Sequence, residues 1–427
     1  MTLRGLVLIA AALGLAAATP VRADDMSRPL AASVTAKSTT PASKPAALEK
    51  PPPITFFVAK GDANACGVGC SEWIAADGTI DSGADDRLRA LLKKLGGRQL
   101  PIYFHSPGGA VPTGLATGRL MRQRGLTAGV GWTVPAGCDA KQQQEAACDR
   151  LKRSGRDLVA VLDTGHGMCN SACVYALVGA AVREVGAGVG LGVHSSSISF
   201  TLKRIDADGH VTRMATHGTP TLERKALEGG YATTFAYLRE MGISQDLLAA
   251  ARAVDNSRVR FLTRDELVAF GIDRREVVEG MWLFAEQAFA ASAVKIIEEK
   301  RAGAFRKDIV SLSCRGASAL WLEYSRERDA SAGGWPVPMR VTTSGGSFLL
   351  SNPSRFASGG GFVAMEVRSV ELPISVLGDA TLTIESAQAA GLTAKVTVQP
   401  AGPGLAELAR RCGNDPPKAK GVPAERI

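Results

Sequence analysis

Histidine and aromatic side chains are scarce in this 427-residue sequence, which has five His and 5 % Phe, Trp and Tyr together. His105, His210 and His217 show no metal-ligand spacing with one another, so a histidine-built metal site is not expected. Beyond residue 18 no apolar run is long enough for the roughly 18 residues of a membrane span. The basic surplus, formally +9, is scattered rather than gathered, which speaks against a nucleic-acid partner and for a solvated surface. With so few aromatics, a 45 % hydrophobic content and 47 glycines point to packed layers of Ala, Val, Leu and Gly. The length allows two domains.

The first residues have the three-part layout of a secretory signal. Arg4 precedes the apolar run 6–18, and helix-breaking Pro20 leads to the small-residue site Val21-Arg22-Ala23. Removal of residues 1–23 and a periplasmic or secreted location are therefore expected. Residues 24–53, rich in Ala, Pro, Ser, Thr and Lys and ending in Pro51-Pro52-Pro53, read as a disordered linker. Eight cysteines in an exported chain suggest disulfides. Proximity suggests Cys66 with Cys70, Cys138 with Cys148, Cys169 with Cys173, and Cys314 with Cys412. Eight cysteines allow 105 pairings, so connectivity stays open, and a zinc site built on the two C-x-x-x-C spacings is the alternative.

From residue 54 short apolar strands alternate with helical stretches, the signature of an α/β unit with a mostly parallel sheet. The expected strands are 54–58, 71–75, 100–105, 158–162 and 188–194. Leu88, Leu91, Leu92 and Leu95 lie on one face of a helix over 85–95, and 111–124 reads the same way. The run 171–185 is apolar enough to be a core helix. Alternation in 197–204 and 211–217 predicts a β-hairpin. Helices over 222–241 and 244–254 follow, and Thr263 with Glu266 forms a capping box that opens another. From 287 to 415 regularly spaced strand-like runs suggest a small antiparallel β domain, a sandwich or barrel, closed by Cys314 and Cys412. Residues 416–427 read as a disordered tail.

Three segments of the α/β domain, 54–286, carry chemistry. Ser106-Pro107-Gly108-Gly109 follows a strand, Cys169-Asn170-Ser171-Ala172-Cys173 opens a helix, and Leu191-Gly192-Val193-His194 ends a strand. Singly, each has a bland reading as a turn, a helix cap or a packed histidine. Their order resembles the Clp protease proteolytic subunit and its crotonase-fold relatives, over roughly residues 54–280. The segment from Phe261-Leu262-Thr263 to Phe270-Gly271-Ile272 extends the likeness. A signal peptide with a Cys-x-Ser-Ala-Cys serine box is similar to the periplasmic ClpP-like group.

The resemblance implies a serine peptidase or acyl hydrolase with Ser171 as nucleophile, His194 as base, and backbone N–H groups of Gly109 and Ala172 as the oxyanion hole. It implies a peptide or protein substrate and no cofactor. The oligomeric state stays open, between a homo-oligomer assembled through the helices, as Clp-type domains usually are, and a chain whose hairpin and β domain block that stacking. A crotonase-type acyl-CoA reaction is the distant reading, since coenzyme A is not expected outside the cytoplasm. The family places an acid where this chain has Ser257-Arg258-Val259-Arg260, and the nearest carboxylate is Asp255. Four arrangements follow: Asp255 behind His194, Asn256 orienting the imidazole, a Ser–His dyad, or an inactive scaffold serving as a binding protein. His166, between two glycines, reads as a loop residue.

Overall fold

Alternate residues of the early strands face opposite ways, and both sets are apolar, so these strands must be covered on both faces. The computed structural model describes residues 52–413, apart from short internal stretches of which the longest are 139–144, 329–337 and 387–394. The signal segment, nearly all of the linker, the tail, His210 and His217 lie outside the described residues. The described residues belong to one compact unit, Lys50–Ile427.

The chain runs β1 (Thr55–Lys60), β2 (Glu72–Asp77), α1 (Ala84–Lys94), β3 (Ile102–His105), α2 (Val111–Gln123), β4 (Thr127–Val130), β5 (Trp132–Pro135), α3 (Ala146–Lys152) and β6 (Leu158–Asp163). It continues through β7 (Cys169–Asn170), α4 (Ala172–Val178), β8 (Val182–Glu184) and β9 (Leu191–Val193). The hairpin β10 (Leu202–Ile205) and β11 (Val211–Ala215) precedes α5 (Pro220–Glu240), α6 (Asp246–Arg252), β12 (Arg260–Phe261) and α7 (Arg264–Ala269).

The main sheet has the order β5-β6-β1-β2-β3-β4-β8. Four of its neighbour pairs are parallel, and β1–β2 and β5–β6 are antiparallel. On one face Val58, Ile74, Ala76, Ile102 and Phe104 pack against α1, α2, α4 and α5. On the other, Phe57, Trp73, Ala75, Leu158 and Leu162 form a second cluster, where Trp73 Nε1 donates to Thr133 Oγ1 at 2.9 Å. Helix α1 buries Leu88 and Leu92, with Asp85 and Asp86 in its first turn and Lys93 and Lys94 in its last, matching the helix dipole. Thr263 and Glu266 make the expected reciprocal capping box on α7.

One helix expectation needs correcting. The run 171–185 is not a single helix: α4 ends at Val178, and Val182–Glu184 becomes β8, parallel to β4. Gly179, the residue that caps α4, sits directly against Gly118 of α2 and the Tyr237 hydroxyl, where no side chain would fit. A buried helix and a buried strand are equally apolar, so periodicity cannot separate them.

The remainder is antiparallel. Strands β13 (Val277–Glu279), β14 (Leu283–Gln287), β15 (Ala290–Arg301), β16 (Ala304–Arg315), β17 (Ala319–Arg328), β18 (Met339–Thr343), β19 (Gly346–Leu349), β20 (Ser354–Ser358), β21 (Val363–Pro373), β22 (Leu382–Ser386) and β23 (Lys395–Val398) lead to α8 (Pro403–Gly413). One sheet has the order β13-β15-β16-β17-β21-β20 with β14 also on β15, and the other β19-β18-β22-β23. Val310, Leu322 and Tyr324 of the first share a core with Val341 and Ile384 of the second and Leu405 and Leu408 of α8, a sandwich arrangement. The cysteines stand as four disulfide pairs: Cys66–Cys70, Cys138–Cys148, Cys169–Cys173, and Cys314–Cys412, which ties β16 to α8.

Candidate active site

The three sequence segments meet at the C-terminal end of β3, an interior strand of the main sheet, where Ser106 bridges Cys169. Ser106, fully buried, donates its N–H to Met168 O at 2.6 Å, and Asn170 N donates to Ser106 O at 3.1 Å. Strand β7 pairs in parallel with β9, and Ser171 N donates to Gly192 O at 2.7 Å. Strand β12 then closes a three-stranded sheet, β12-β9-β7.

Ser171 has φ 54° and ψ −121°, a conformation that costs a non-glycine residue about 1–3 kcal/mol. It stands between strand β7 and helix α4 and caps the helix by position only, for its side chain makes no capping hydrogen bond. The bland reading of this serine as an ordinary N-cap is therefore removed. A strained serine on a strand-to-helix turn presents its hydroxyl outward, the arrangement seen in nucleophile elbows. Disulfide Cys169–Cys173 straddles it, with both cysteines fully buried.

Gly108 explains the Pro-Gly-Gly turn. Its φ is 104°, and a Cβ there would lie 2.7 Å from Ser171 Cβ and 2.6 Å from Asn170 O. Ile80 N donates to Gly108 O at 2.8 Å and Ala110 N to Ile80 O at 2.7 Å, which fixes the turn against the α1 side. Two backbone donors are left over: among the described residues, the N–H groups of Gly109 and Ala172 make no hydrogen bond. Ala172 directly follows Ser171, and Gly109 follows Gly108, whose would-be Cβ stands 3.2 Å from Ala172 N.

His194 lies just past β9 and is half-buried. Its Nδ1 is 2.8 Å from Ser195 O, and because a carbonyl only accepts, Nδ1 is the donor, which in the neutral tautomer leaves the lone pair on Nε2. Ser195 N in turn donates to Val254 O at 2.8 Å, which anchors the His194 backbone to the Asp255 loop. The loop is thus beside the histidine, but the Asp255 carboxylate is exposed and accepts from Ser257 Oγ at 2.6 Å and Ser257 N at 2.9 Å. The Ser257 hydroxyl and N–H hold the Asp255 carboxyl below its usual range. Asn256 is exposed and makes no side-chain hydrogen bond among the described residues, and Ser171 Oγ makes none with the His194 ring. Val259 reaches toward Gly192 with its side chain.

Two residues near the site went unnoticed in the sequence. Asn170 lies over Gly192, and its Oδ1 is buried without a hydrogen-bond partner. A glycine between buried Leu191 and Val193 was the available signal, since it leaves room for a neighbour's side chain. Ser195 acts through its carbonyl, which no residue type advertises. His166 is exposed and bonds Asp163 through Nδ1 at 2.7 Å, a loop contact. His105 stacks on Trp132 at 5.1 Å, and burial lowers its pKa. No group of three or more His, Cys, Asp or Glu able to hold a metal occurs among the described residues.

No family model matches the chain, and no curated protein matches it. Among solved structures, the chain is similar to a point mutant of ClpP1 from Listeria monocytogenes, with 12 % identity and a TM-score of 0.29 over 51 % of this chain and 88 % of that one. It is also similar to the 1510-N membrane-bound stomatin-specific protease. One mutant of that protease gives 13 % identity and a TM-score of 0.26 over 47 % of this chain and 75 % of that one. A second, in complex with a substrate peptide, gives 14 % and 0.26 over 47 % and 71 %. Likeness this distant leaves the reading of the site to its own geometry.

Proposed function

We propose that this chain is an exported serine peptidase or related acyl hydrolase with a ClpP-like core, in which Ser171 attacks, His194 takes the proton, and Gly109 and Ala172 N–H groups bind the oxyanion. What supports the reading is the strained, uncapped Ser171 packed against the Gly108 turn, with the N–H groups of Gly109 and Ala172 unengaged among the described residues. Ser171 Oγ would form a bond to the substrate carbonyl carbon as its proton passes to His194 Nε2. The carbonyl π electrons move onto oxygen, where the two N–H groups stabilise the charge. Collapse expels the amine, which takes the proton from His194. Water, deprotonated by the same nitrogen, then hydrolyses the acyl-serine.

In this reading Ser195 O does the orienting work of the missing acid, by holding Nδ1–H and keeping Nε2 as the base. Catalytic hydrogen bonds are often formed only once substrate is present, so the open Ser171–His194 pair is compatible with activity. Four disulfides suit an oxidising, extracytoplasmic compartment, which supports periplasmic location after cleavage behind Ala23. A peptide substrate and assembly through the helices belong to the same proposal.

A second reading, a catalytically silent scaffold acting as a binding protein, is favoured by Asp255, whose carboxylate serves Ser257 instead of His194. A fluorophosphonate probe separates them. The hydrolase reading expects covalent labelling, located at Ser171 by mass spectrometry and abolished in Ser171→Ala. Labelling that persists unchanged in that variant removes Ser171 as the nucleophile, and no labelling of the wild type favours the silent scaffold.

A further inference from the structure

Beside the serine elbow a cavity of about 890 Å³ opens between the α/β part and the antiparallel sheet. Its floor is the segment that becomes β9. Leu191 and Val193 are buried in the core, so Gly190, Gly192 and His194 share the opposite face. Gly190 has no Cβ to meet the Phe261 ring, which would stand 2.5 Å from one, and Asn170 covers Gly192 in the same way. Phe261 is 57 % exposed, an unusual state for a phenylalanine and one that the cavity accounts for.

The roof comes from outside the α/β part. Phe305 and Ile309 of β16 and Met365 of β21 line it. The gap between floor and roof is fixed by a buried clamp. Arg264, at the start of α7, bonds Glu298 of β15 at 2.7 Å, Asp273 at 3.1 Å, and the carbonyls of Val185 and Gly186 at 2.8 and 2.9 Å. Phe305 N donates to Asp265 Oδ1 at 3.2 Å beside it. The cavity is therefore a built feature whose walls set Phe261, Phe305, Ile309 and Met365 among charged side chains such as Lys307 and Glu327, and Asn170, which precedes Ser171 in the chain, lies at its margin.

Distance sets what it can hold. From His194 back to Gly190 is four residues, about 13 Å at the rise of an extended strand, so an extended substrate would cover the same distance in about four residues. We infer that this cavity is a specificity subsite for an apolar side chain of an extended peptide, about four residues from the scissile bond, with the antiparallel sheet supplying half of its wall. The inference deepens the peptidase reading and rests on it for the position of the scissile bond. It assigns the C-terminal strands a part in substrate selection.

The test is equilibrium binding to full-length Ser171→Ala protein, read by fluorescence anisotropy. The probes are fluorescein-labelled nonapeptides of Gly and Ser carrying a single Phe, moved along the peptide, against the same peptides with Asp. Burying one such ring is worth a tenfold or greater gain in affinity. The expected result is that gain for the Phe peptides, lost in Met365→Asp and in the cavity-filling Ile309→Trp, each checked for native near-ultraviolet circular dichroism. Equal affinity for Phe and Asp peptides, or a preference that survives in both folded variants, overturns the subsite. Fluorophosphonate labelling of the wild type decides the peptidase reading separately. A Phe preference without labelling leaves the cavity as a binding site and removes the catalysis.

Discussion

Gly108→Ala is the sharpest probe of how the serine elbow is built. Two costs can be separated. The φ of 104° costs an alanine about 1–2 kcal/mol wherever it occurs. The added Cβ would also stand 2.6 Å from Asn170 O and 2.7 Å from Ser171 Cβ, too close for either to stay in place. Neither neighbour is the free end of a flexible side chain, so the elbow itself must shift by a few tenths of an ångström or more. Gly125→Ala is the control, because Gly125 has φ 65° and nothing within 4 Å of its would-be Cβ. Both variants should lose about 1–2 kcal/mol in urea unfolding from the backbone alone. Only Gly108→Ala should also slow fluorophosphonate labelling, by about 10²-fold, as expected when a nucleophile and its oxyanion donors are displaced on the ångström scale. Labelling at the wild-type rate in Gly108→Ala would mean that the Gly-Gly turn does not position Ser171. Equal slowing in both variants would trace the effect to general destabilisation.

Asp255→Asn should leave the labelling rate within about twofold, because the Asp255 carboxylate bonds Ser257 and His194 Nδ1 is already held by Ser195 O. A loss near 10⁴-fold, the scale seen when a triad acid is neutralised, would restore Asp255 as the catalytic acid. Removing the disulfides one at a time should rank by loop length: about 4.7 kcal/mol for Cys314–Cys412, which encloses 98 residues of separation, against about 2 kcal/mol for Cys169–Cys173, separated by four. Urea unfolding of the paired Cys→Ser variants reads both. A larger loss for Cys169–Cys173 would show that this bond carries the strain at Ser171 as well as closing a loop.

Much of the path of the chain was legible because it depends on local chemistry. Leu88 and Leu92 at helical spacing marked α1, Thr263 with Glu266 marked the start of α7, and the alternating runs on either side of residue 208 marked β10 and β11. Proximity alone suggested the same cysteine partners that the structure joins. The site was legible in part for the same reason. The Pro-Gly-Gly turn, the serine box and the histidine each follow a strand, and strands that neighbour one another in a sheet bring their ends together.

What lay beyond the sequence depends on contacts between distant residues and on choices among competing local hydrogen bonds. The need for a glycine at 179, just past the end of α4, is set by Gly118 and Tyr237, which lie far from it in the chain. The direction of the Asp255 carboxylate is decided by a serine two residues on, a choice between equally available hydrogen bonds that composition leaves undetermined. The cavity beside Ser171 needs Phe261, Ile309 and Met365 at once, and only the packing of the antiparallel sheet onto the α/β part brings them together. The sequence by itself determined most of the elements that form, offered proximity guesses for the cysteine partners, and offered the candidate serine and histidine. The tertiary structure decided what surrounds the serine, because strands distant in the chain bring those groups together, and which of several available local hydrogen bonds His194 and Asp255 make.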